Sequence, residues 1–263
     1  MKPLRYVLLI LLCLMAIEQA ANCQSSFDKA HALLEQLAQD QHELSLETPA
    51  RSPSVMYDRV AAEVKEVPPQ AEQLINQGIL GFLNKDRTPT LLKQEIDSTL
   101  QVNNTTTEDA SFVLPTGNPP RFYLIGYTIS FCAICARNWI GIVGPRPAGW
   151  EILAELQNQF QNQGIKIFPL NADVNNLTFL VRITNWGDAH NRVSVQIYRF
   201  NGHDLKSIWS VSDLAQGQVQ VSGSEVTLKY LTTLVPPFEE RTDVYSLRSG
   251  IITLDRSATH PAD

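Results

Sequence analysis

The chain has 263 residues, of which 44% are hydrophobic and 18% are charged, and its net charge is −6. This composition is typical of a globular protein with a sizeable core in one or two domains. The acidic balance argues against nucleic-acid backbones and anionic lipid as partners. Four cysteines are too few for a disulfide-stapled scaffold.

The first 23 residues have the order of a secretory signal peptide. Lys2 and Arg5 precede an apolar run from Tyr6 to Ile17, and small residues follow. We expect cleavage between Ala21 and Gln24, so that residues 1–23 are removed and 19 basic and 26 acidic residues remain. The sequence therefore predicts export to the periplasm, the cell envelope or the extracellular space.

Two alternatives to simple cleavage stay open at this junction. An exported bacterial protein can be lipidated on a cysteine such as Cys23, although Asn22 is larger and more polar than the residue that normally precedes a lipidated cysteine. The segment can also stay uncleaved as an anchor. Beyond the signal segment or a lipid on Cys23, the sequence predicts no contact with a membrane.

Residues 24–102 are predicted to form a small helical region. Apolar residues recur at helical spacing over 27–46, and Ser52-Pro53 starts a second helix that we expect to run to Val67. Pro68-Pro69 should end that helix and open a third, which continues to Asn84. Thr88-Pro89 repeats the capping signature before a fourth helix that ends near Leu100.

The period of the apolar residues changes after this region. Residues 103–110 begin with the polar run NNTTTED and are predicted to be a linker. Residues 111–255 then show the two-residue alternation of about nine or ten short strands. We therefore predict an α+β protein, with an antiparallel β-domain built as a meander sandwich, a barrel or propeller-like blades. Residues 256–263 are expected to be a disordered tail.

The run from Arg121 to Gly144 is predicted to be the buried centre of the β-domain. It holds 15 uncharged residues between Arg121 and Arg137, which is short for a membrane span of about 20 residues. Tyr123, Ile125 and Tyr127 alternate with a second, less apolar face. A central strand that packs on both sides explains this composition.

Turn signals divide the rest of the domain into hairpins. Pro145–Gly149 should connect two strands, although 150–163 also fits a helix, with strand the preferred interpretation. Asn201-Gly202 predicts a tight type I′ turn between strands over 192–200 and 205–211. Ser222–Ser224 predicts another turn, between 218–221 and 225–230, and 251–254 is expected to add an edge strand.

Cys132 and Cys135 are the one closely spaced pair of reactive groups in the predicted domain. A redox pair needs a thiolate stabilised by a nearby cation, and Arg137 is the nearest one. In a continuous strand, positions three apart point to opposite faces, so the two sulfurs meet only across a bulge or turn. Two core cysteines or a structural disulfide are the simpler interpretation. Neither alternative requires a metal, for which the sequence offers no second ligand pair.

A polar loop over 185–192 is the predicted binding loop. Its candidate residues are Trp186, Asp188, His190, Asn191 and Arg192. Asp188 and His190 would act together as a general base and the group that orients it. Alternatively, the two residues would join Asp173 as ligands of a cation. No nucleophile motif accompanies them, and Asp and Asn are also common turn residues, so a structural loop is favoured.

Aromatic and acidic residues suggest a third interpretation. The four tryptophans, Trp139, Trp150, Trp186 and Trp209, lie mostly on predicted strands and would suit a sugar-stacking platform. Glu151 and Glu155 would share a strand face as a weak candidate for glycoside hydrolysis. Core aromatics and solvent-facing carboxylates are the simpler explanation.

The sequence therefore predicts an exported, non-catalytic binding or structural module, with an unknown protein or glycan as its partner. We assign no catalytic residue, no metal ligand and no cofactor. Two other functions stay open: a dithiol redox protein that uses Cys132 and Cys135, and a carbohydrate-binding or carbohydrate-acting protein.

Overall fold

The computed structural model describes residues 25–46, 55–85, 88–102, 110–117, 120–132, 135–156, 159–160, 162–173, 176–185 and 192–262, without the side chains of 172, 173 and 176. The predicted signal peptide, Cys23, nearly all of the predicted linker and residues 186–191 of the predicted binding loop lie outside these residues. The described chain has three helices followed by two antiparallel sheets, and 53% of it is strand. The predicted α+β class is confirmed.

The helices are α1 (Ser26–Leu46), α2 (Val55–Leu83) and α3 (Pro89–Leu100). Ser25 caps α1 in a reciprocal pair, because its Oγ accepts from the Asp28 N–H at 3.1 Å and Asp28 Oδ2 accepts from the Ser25 N–H at 3.0 Å. Pro89 occupies the first turn of α3, as predicted, although the Thr88 side chain makes no capping bond. No described helix is long and apolar enough to cross a membrane.

The predicted break at Pro68-Pro69 is wrong, because α2 runs through both prolines. An interior proline removes a helical hydrogen bond and costs about 3 kcal/mol. Here the buried face continues on both sides of the break, with Val60 before it and Ala71 and Ile75 after it. Burial of this face offsets the local cost, and two predicted helices become one.

The smaller sheet has the order β1-β2-β3-β4 and the larger one the order β11-β10-β9-β8-β7-β6-β5. The strands are β1 (Ser111–Thr116), β2 (Phe122–Cys132), β3 (Cys135–Arg146), β4 (Gly149–Glu155), β5 (Gln163–Asp173), β6 (Asn176–Asn185), β7 (Val193–Phe200), β8 (Leu205–Ser222), β9 (Glu225–Leu231), β10 (Glu239–Arg248) and β11 (Ile251–Pro261). Every pairing is antiparallel, and within each sheet every strand pairs with its neighbours in the chain, whereas β4 and β5 belong to different sheets.

The predicted central strand is confirmed by the packing of β2. Tyr123, Ile125 and Tyr127 face the helices and share a core with α1, α2 and α3. Phe122 and Leu124 point the other way and share a second core with β6 and β7. The smaller sheet therefore lies between the helices and the larger sheet, and the helical region packs on the β-domain.

The larger sheet folds back on itself at β8. The first half of β8 pairs with β7 and the second half with β9. Between them Asp213 and Gln216 have positive φ angles of 61° and 50°. A third core joins Leu180 and Val195 of one half to Leu228 of the other. The protein thus has four layers, one of helices and three of strands, and the sandwich alternative of the prediction describes the stacking.

The predicted hairpins are present, with one difference in turn type. Asn201-Gly202 connects β7 to β8, but only Gly202 has a positive φ, so the connection is not a type I′ turn. It is a four-residue loop in which Asn201 Oδ1 accepts from the N–H groups of His203 and Asp204 at 3.1 and 2.8 Å. The strand interpretation of 150–155 is confirmed by β4.

The expected disordered tail is wrong as well. Residues 256–261 continue β11 and pair with β10, with Ser257 opposite Asp243 and Pro261 opposite Glu239. Short polar residues hid this strand, because its side chains are almost all exposed and show no apolar alternation.

Candidate functional site

Cys132 and Cys135 form a disulfide at the end of the β2–β3 hairpin. Their Sγ atoms are 1.96 Å apart and their Cα atoms 4.7 Å apart. The two residues lie opposite each other, because Cys132 of β2 pairs with Cys135 of β3 in the antiparallel ladder. This pairing removes the geometric objection that applies to two cysteines on one continuous strand. A redox role for the pair stays a prediction.

Arg137, the cation nearest to the cysteines in sequence, is bound to a carboxylate. Its Nε and Nη2 donate to the two carboxylate oxygens of Glu72 on α2, at 2.7 and 3.1 Å. The Tyr127 hydroxyl donates to Asn76 Oδ1 at 2.9 Å next to this pair. Burial, and then the Glu72 charge, hold the Tyr127 pKa well above its usual value. Arg137 therefore forms an ion pair that connects β3 to α2.

Only the ends of the predicted binding loop are described. The Asn185 N–H donates to the Arg192 carbonyl oxygen at 3.1 Å, which closes the base of the loop. Arg192 Nη1 lies 3.9 Å from Asp213 Oδ1 at the bend of β8. Trp186, Asp188, His190 and Asn191 lie outside the described residues, so their role as a binding loop stays a prediction.

The three described tryptophans do not form one platform. Trp139 has no exposed surface and donates from Nε1 to Glu155 Oε2 at 2.8 Å. Trp150 packs on Tyr123 between the helices and the smaller sheet, with the ring centroids 5.1 Å apart. Trp209 lies in the third core, 4.8 Å from the ring of Tyr245. These three rings belong to two separate cores.

Glu151 and Glu155 are not a carboxylate pair on one strand face. A register shift between β3 and β4 places an extra residue, Leu153, between the partners of Ile142 and Val143. This bulge puts Glu155, opposite Gly141, on the side of Trp139, whereas Glu151, opposite Gly144, lies on the other side of the sheet; both residues are exposed. The predicted shared face assumed an unbroken alternation.

A buried carboxylate on β10 was missed by the sequence reading. Asp243 is 2% exposed and accepts hydrogen bonds from Tyr230 Oη at 2.8 Å and Arg241 Nε at 2.9 Å. Burial disfavours its charge, but hydrogen bonds from Ser257, Arg241 and Tyr230 outweigh burial and lower the Asp243 pKa. Burial and the bond to Asp243 raise the Tyr230 pKa to about 12. The cluster joins β9, β10 and β11.

Two clefts open at the margins of the larger sheet. One, of about 380 Å³, lies between the two folded halves and includes Thr178, Arg199 and Leu247. Arg199 donates there to the Gly250 carbonyl oxygen. The other, of about 290 Å³, is apolar and lies between β1 and β5, beside Phe112 and Ile167. Across the described part of the chain, no three His, Cys, Asp or Glu side chains are grouped to hold a metal ion.

The strand β11 lies at one edge of the larger sheet. Ten of its eleven residues are exposed, and among the described strands only β10 pairs with it. The Ala262 N–H donates to the Phe238 carbonyl oxygen at 2.9 Å, so the backbone polar groups of Ala262 point toward the side of β10. The direction of the backbone N–H and C=O groups alternates from one residue to the next in an antiparallel ladder. The backbone groups of Thr259 and Ser257, at odd spacing from Ala262, therefore point outward.

The same orientation extends across the bulge near Asp255. The Leu247 N–H donates to the Ser224 carbonyl oxygen on the β9 side at 2.9 Å. The backbone groups of its chain neighbours, Ser246 and Arg248, therefore point toward β11. Their partners in β11 are Ile251 and Thr253, which leaves Ile252 and Leu254 directed outward. The outward backbone N–H groups are therefore those of Ile252, Leu254, Ser257 and Thr259.

An exposed apolar turn adjoins one end of this edge. Residues 232–238 connect β9 to β10, and they expose Leu234 by 39%, Val235 by 72% and Phe238 by 40%. The Thr233 hydroxyl fixes the turn by donating to the Pro237 oxygen at 3.1 Å. A cluster of exposed apolar side chains beside an unpaired edge is typical of a protein-binding surface.

No protein-family model matches the chain. Searches of curated proteins and of solved structures likewise found no significant match. The functional interpretation therefore depends on the geometry of the described residues.

Proposed function

We propose that this protein is an exported, non-catalytic binding module that captures an extended segment of a partner protein along the outer edge of β11. The single observation that supports the proposal is the outer edge of an eleven-residue strand that no other described strand pairs with and whose side chains are almost all exposed. Addition of a partner strand would satisfy the four outward N–H groups and the carbonyl groups beside them.

The partner is proposed to be a protein segment because the edge offers backbone hydrogen bonds. Leu234, Val235 and Phe238 would add apolar contact at one end of the added strand. The net charge of −6 disfavours nucleic acid and anionic lipid as alternatives. A glycan partner has less support, because Trp139 is buried and Trp150 and Trp209 pack in different cores.

Export is part of the proposal and is supported by two features. The order of charged, apolar and small residues over 1–23 is that of a signal peptide. A disulfide between Cys132 and Cys135 is favoured in an oxidising compartment. The intact mass of the protein from its native host tests this: a chain that begins near Gln24 supports export, and one that retains Met1 without lipid contradicts cleavage.

The binding experiment starts from a displayed library of random peptides. Peptides that bind the mature protein are selected from this library. Thr259→Pro removes an outward N–H without removing a bond to β10, because proline is accepted on the free side of an edge strand. Thr259→Ala is the matched control, since it removes the exposed side chain and keeps the N–H. We expect selected peptides to bind the wild type and Thr259→Ala equally and Thr259→Pro at least about tenfold more weakly.

Two results would overturn the proposal. In the first, no peptide is enriched against the wild type. In the second, the enriched peptides bind Thr259→Pro as well as they bind Thr259→Ala. A self-associating wild type that Thr259→Pro converts to a monomer would assign the edge to a second copy of the chain instead of a partner segment.

A further inference from the structure

The disulfide lies where another protein can reach it. Cys132 is exposed and Cys135 is half-buried. Both lie at the end of the β2–β3 hairpin, whose two strands meet there with Cys132 opposite Cys135. One sulfur of the pair is thus presented to solvent and the other is held closer to the protein.

The flanks of the disulfide are fixed by contacts that do not involve sulfur. Before it, the Phe131 carbonyl oxygen accepts from Gln41 Nε2 of α1 at 2.7 Å, and the Phe131 ring packs against the core beneath the helices. After it, the Asn162 N–H donates to the Ala136 oxygen at 2.7 Å, and Asn162 Oδ1 accepts from the Ala136 N–H at 3.3 Å.

These contacts would keep the hairpin closed when the disulfide is reduced. Ala136 pairs with Ser130 next to the cysteines, and Arg137 is joined to Glu72 on α2. The two thiols therefore stay opposite each other at high effective concentration. A reduced pair with this geometry closes again readily, whereas a pair whose flanks separate does not.

We propose that Cys132–Cys135 is a thiol–disulfide exchange site that oxidises dithiols of other exported proteins. A partner thiolate attacks Cys132 Sγ, the Cys132–Cys135 bond breaks, and Cys135 leaves as a thiolate that takes up a proton. The second partner thiolate attacks the partner sulfur of the mixed disulfide and releases the Cys132 thiolate. The partner loses two electrons and becomes a disulfide, and this protein becomes the dithiol.

The structure assigns different roles to the two cysteines. Cys132, which is exposed, exchanges with the partner, and Cys135 is the leaving thiolate, which releases the partner or glutathione again when it attacks Cys132 Sγ in a mixed disulfide. Gln41 and Asn162 are positioning residues, because they hold the backbone on either side of the pair. The site shares no residue with β11, so it goes beyond the proposed binding function and is tested separately.

The first test uses glutathione disulfide as the probe on the full mature chain, with products identified by intact mass. The reduced Cys135→Ser variant should accumulate a mixed disulfide on Cys132 at least about tenfold faster than the reduced Cys132→Ser variant does on Cys135, because access controls the rate. Equal rates, or no reaction in either variant, would overturn the assignment.

The second test separates an exchange site from a structural staple. The wild type is reduced with dithiothreitol, and hydrogen exchange is measured over 129–132 and 136–140. We expect protection in 136–140 to persist within about threefold, and the disulfide to re-form fully when the dithiothreitol is removed and an excess of glutathione disulfide is supplied. Loss of protection on reduction would overturn the proposal and identify the disulfide as a staple.

A third test uses matched variants on one helix. Gln41→Ala, made with both cysteines present, removes the bond to Phe131 and should lengthen the lifetime of the mixed disulfide between Cys132 and glutathione, since Cys132 is held less firmly opposite Cys135. Gln39→Ala changes an exposed position on α1 and should leave that lifetime unchanged. A Gln41→Ala lifetime equal to that of Gln39→Ala would show that the proposed positioning is absent.

Discussion

The ion pair between Glu72 and Arg137 offers a direct test of how the helices are joined to the smaller sheet. The Arg137 and Glu72 side chains are 16% and 7% exposed, and two hydrogen bonds of 2.7 and 3.1 Å connect them. Glu72→Ala leaves the guanidinium of Arg137 buried without its partner. Loss of one member of a buried pair costs about 3–5 kcal/mol, a large part of the 5–15 kcal/mol that stabilises a typical domain.

Because Arg137 keeps some access to water, we expect a loss near the lower end, about 3 kcal/mol. The assay is urea unfolding followed by the intrinsic tryptophan fluorescence, to which the buried Trp139 contributes, with the midpoint and slope fitted separately. Replacement of both partners by methionine should restore most of the stability, because it removes both buried charges at similar volume.

Lys206→Ala is the matched control for this experiment. Lys206 lies 3.1 Å from Asp204, but the two side chains are 72% and 57% exposed, and exposed pairs contribute little. The reasoning is refuted if Glu72→Ala lowers the midpoint no more than Lys206→Ala does. A fall in midpoint with an unchanged slope would show that Glu72 stabilises the fold as a unit.

Two further predictions concern the interior of the sheets. Gly141→Ala should destabilise by about 1–3 kcal/mol, because its Cβ would lie 2.2 Å from Trp139 Cη2, and Trp139 has no exposed surface. Gly81→Ala is its control: a Cβ there meets nothing within 4 Å, so urea unfolding should show a gain of about 0.5–1 kcal/mol in the helix. The lowered Asp243 pKa predicts a stability contribution that is present above the unfolded pKa near 3.9 and is lost as the pH falls through the folded value. Thermal melting from pH 6 to pH 2 should therefore show a smaller acid-dependent fall in Asp243→Asn than in the wild type, and parallel curves would contradict the role of this carboxylate.

Local patterns predicted most of the elements. The two-sided burial of β2 followed from the alternation of Tyr123, Ile125 and Tyr127 with a second apolar face. The β8–β9 turn followed from Ser222–Ser224 and lies where expected, with Gly223 at a φ of 59°. These features depend on neighbours in sequence, so a single chain is enough to identify them.

Two of the wrong predictions depended on packing between different elements. Pro68-Pro69 has the local signature of a helix break, yet the buried face of α2 against the sheet continues through it. The bulge at Leu153 that separates Glu151 from Glu155 arises from the register of β4 against β3. Neither the packing of α2 nor this register can be read from local periodicity.

The candidate site was the least predictable part. The sequence identified Cys132 and Cys135, but not the anchors Gln41 and Asn162, which lie in other elements. The sequence analysis predicted residues 256–263 to be a disordered tail, because an exposed edge strand lacks the apolar alternation of a buried one. The polarity that hid β11 is what keeps its edge accessible.

Hydrogen exchange of individual β11 amides tests the central claim most directly, because the proposed function requires an outer edge that is free. The account predicts alternation: the N–H groups of Thr253, Ala258 and His260, which face β10, should be protected, whereas those of Ile252, Leu254, Ser257 and Thr259 should exchange freely. Protection of both sets would mean that the edge is already covered. Free exchange of both sets would mean that β11 is not a stable strand, and either result would contradict the account.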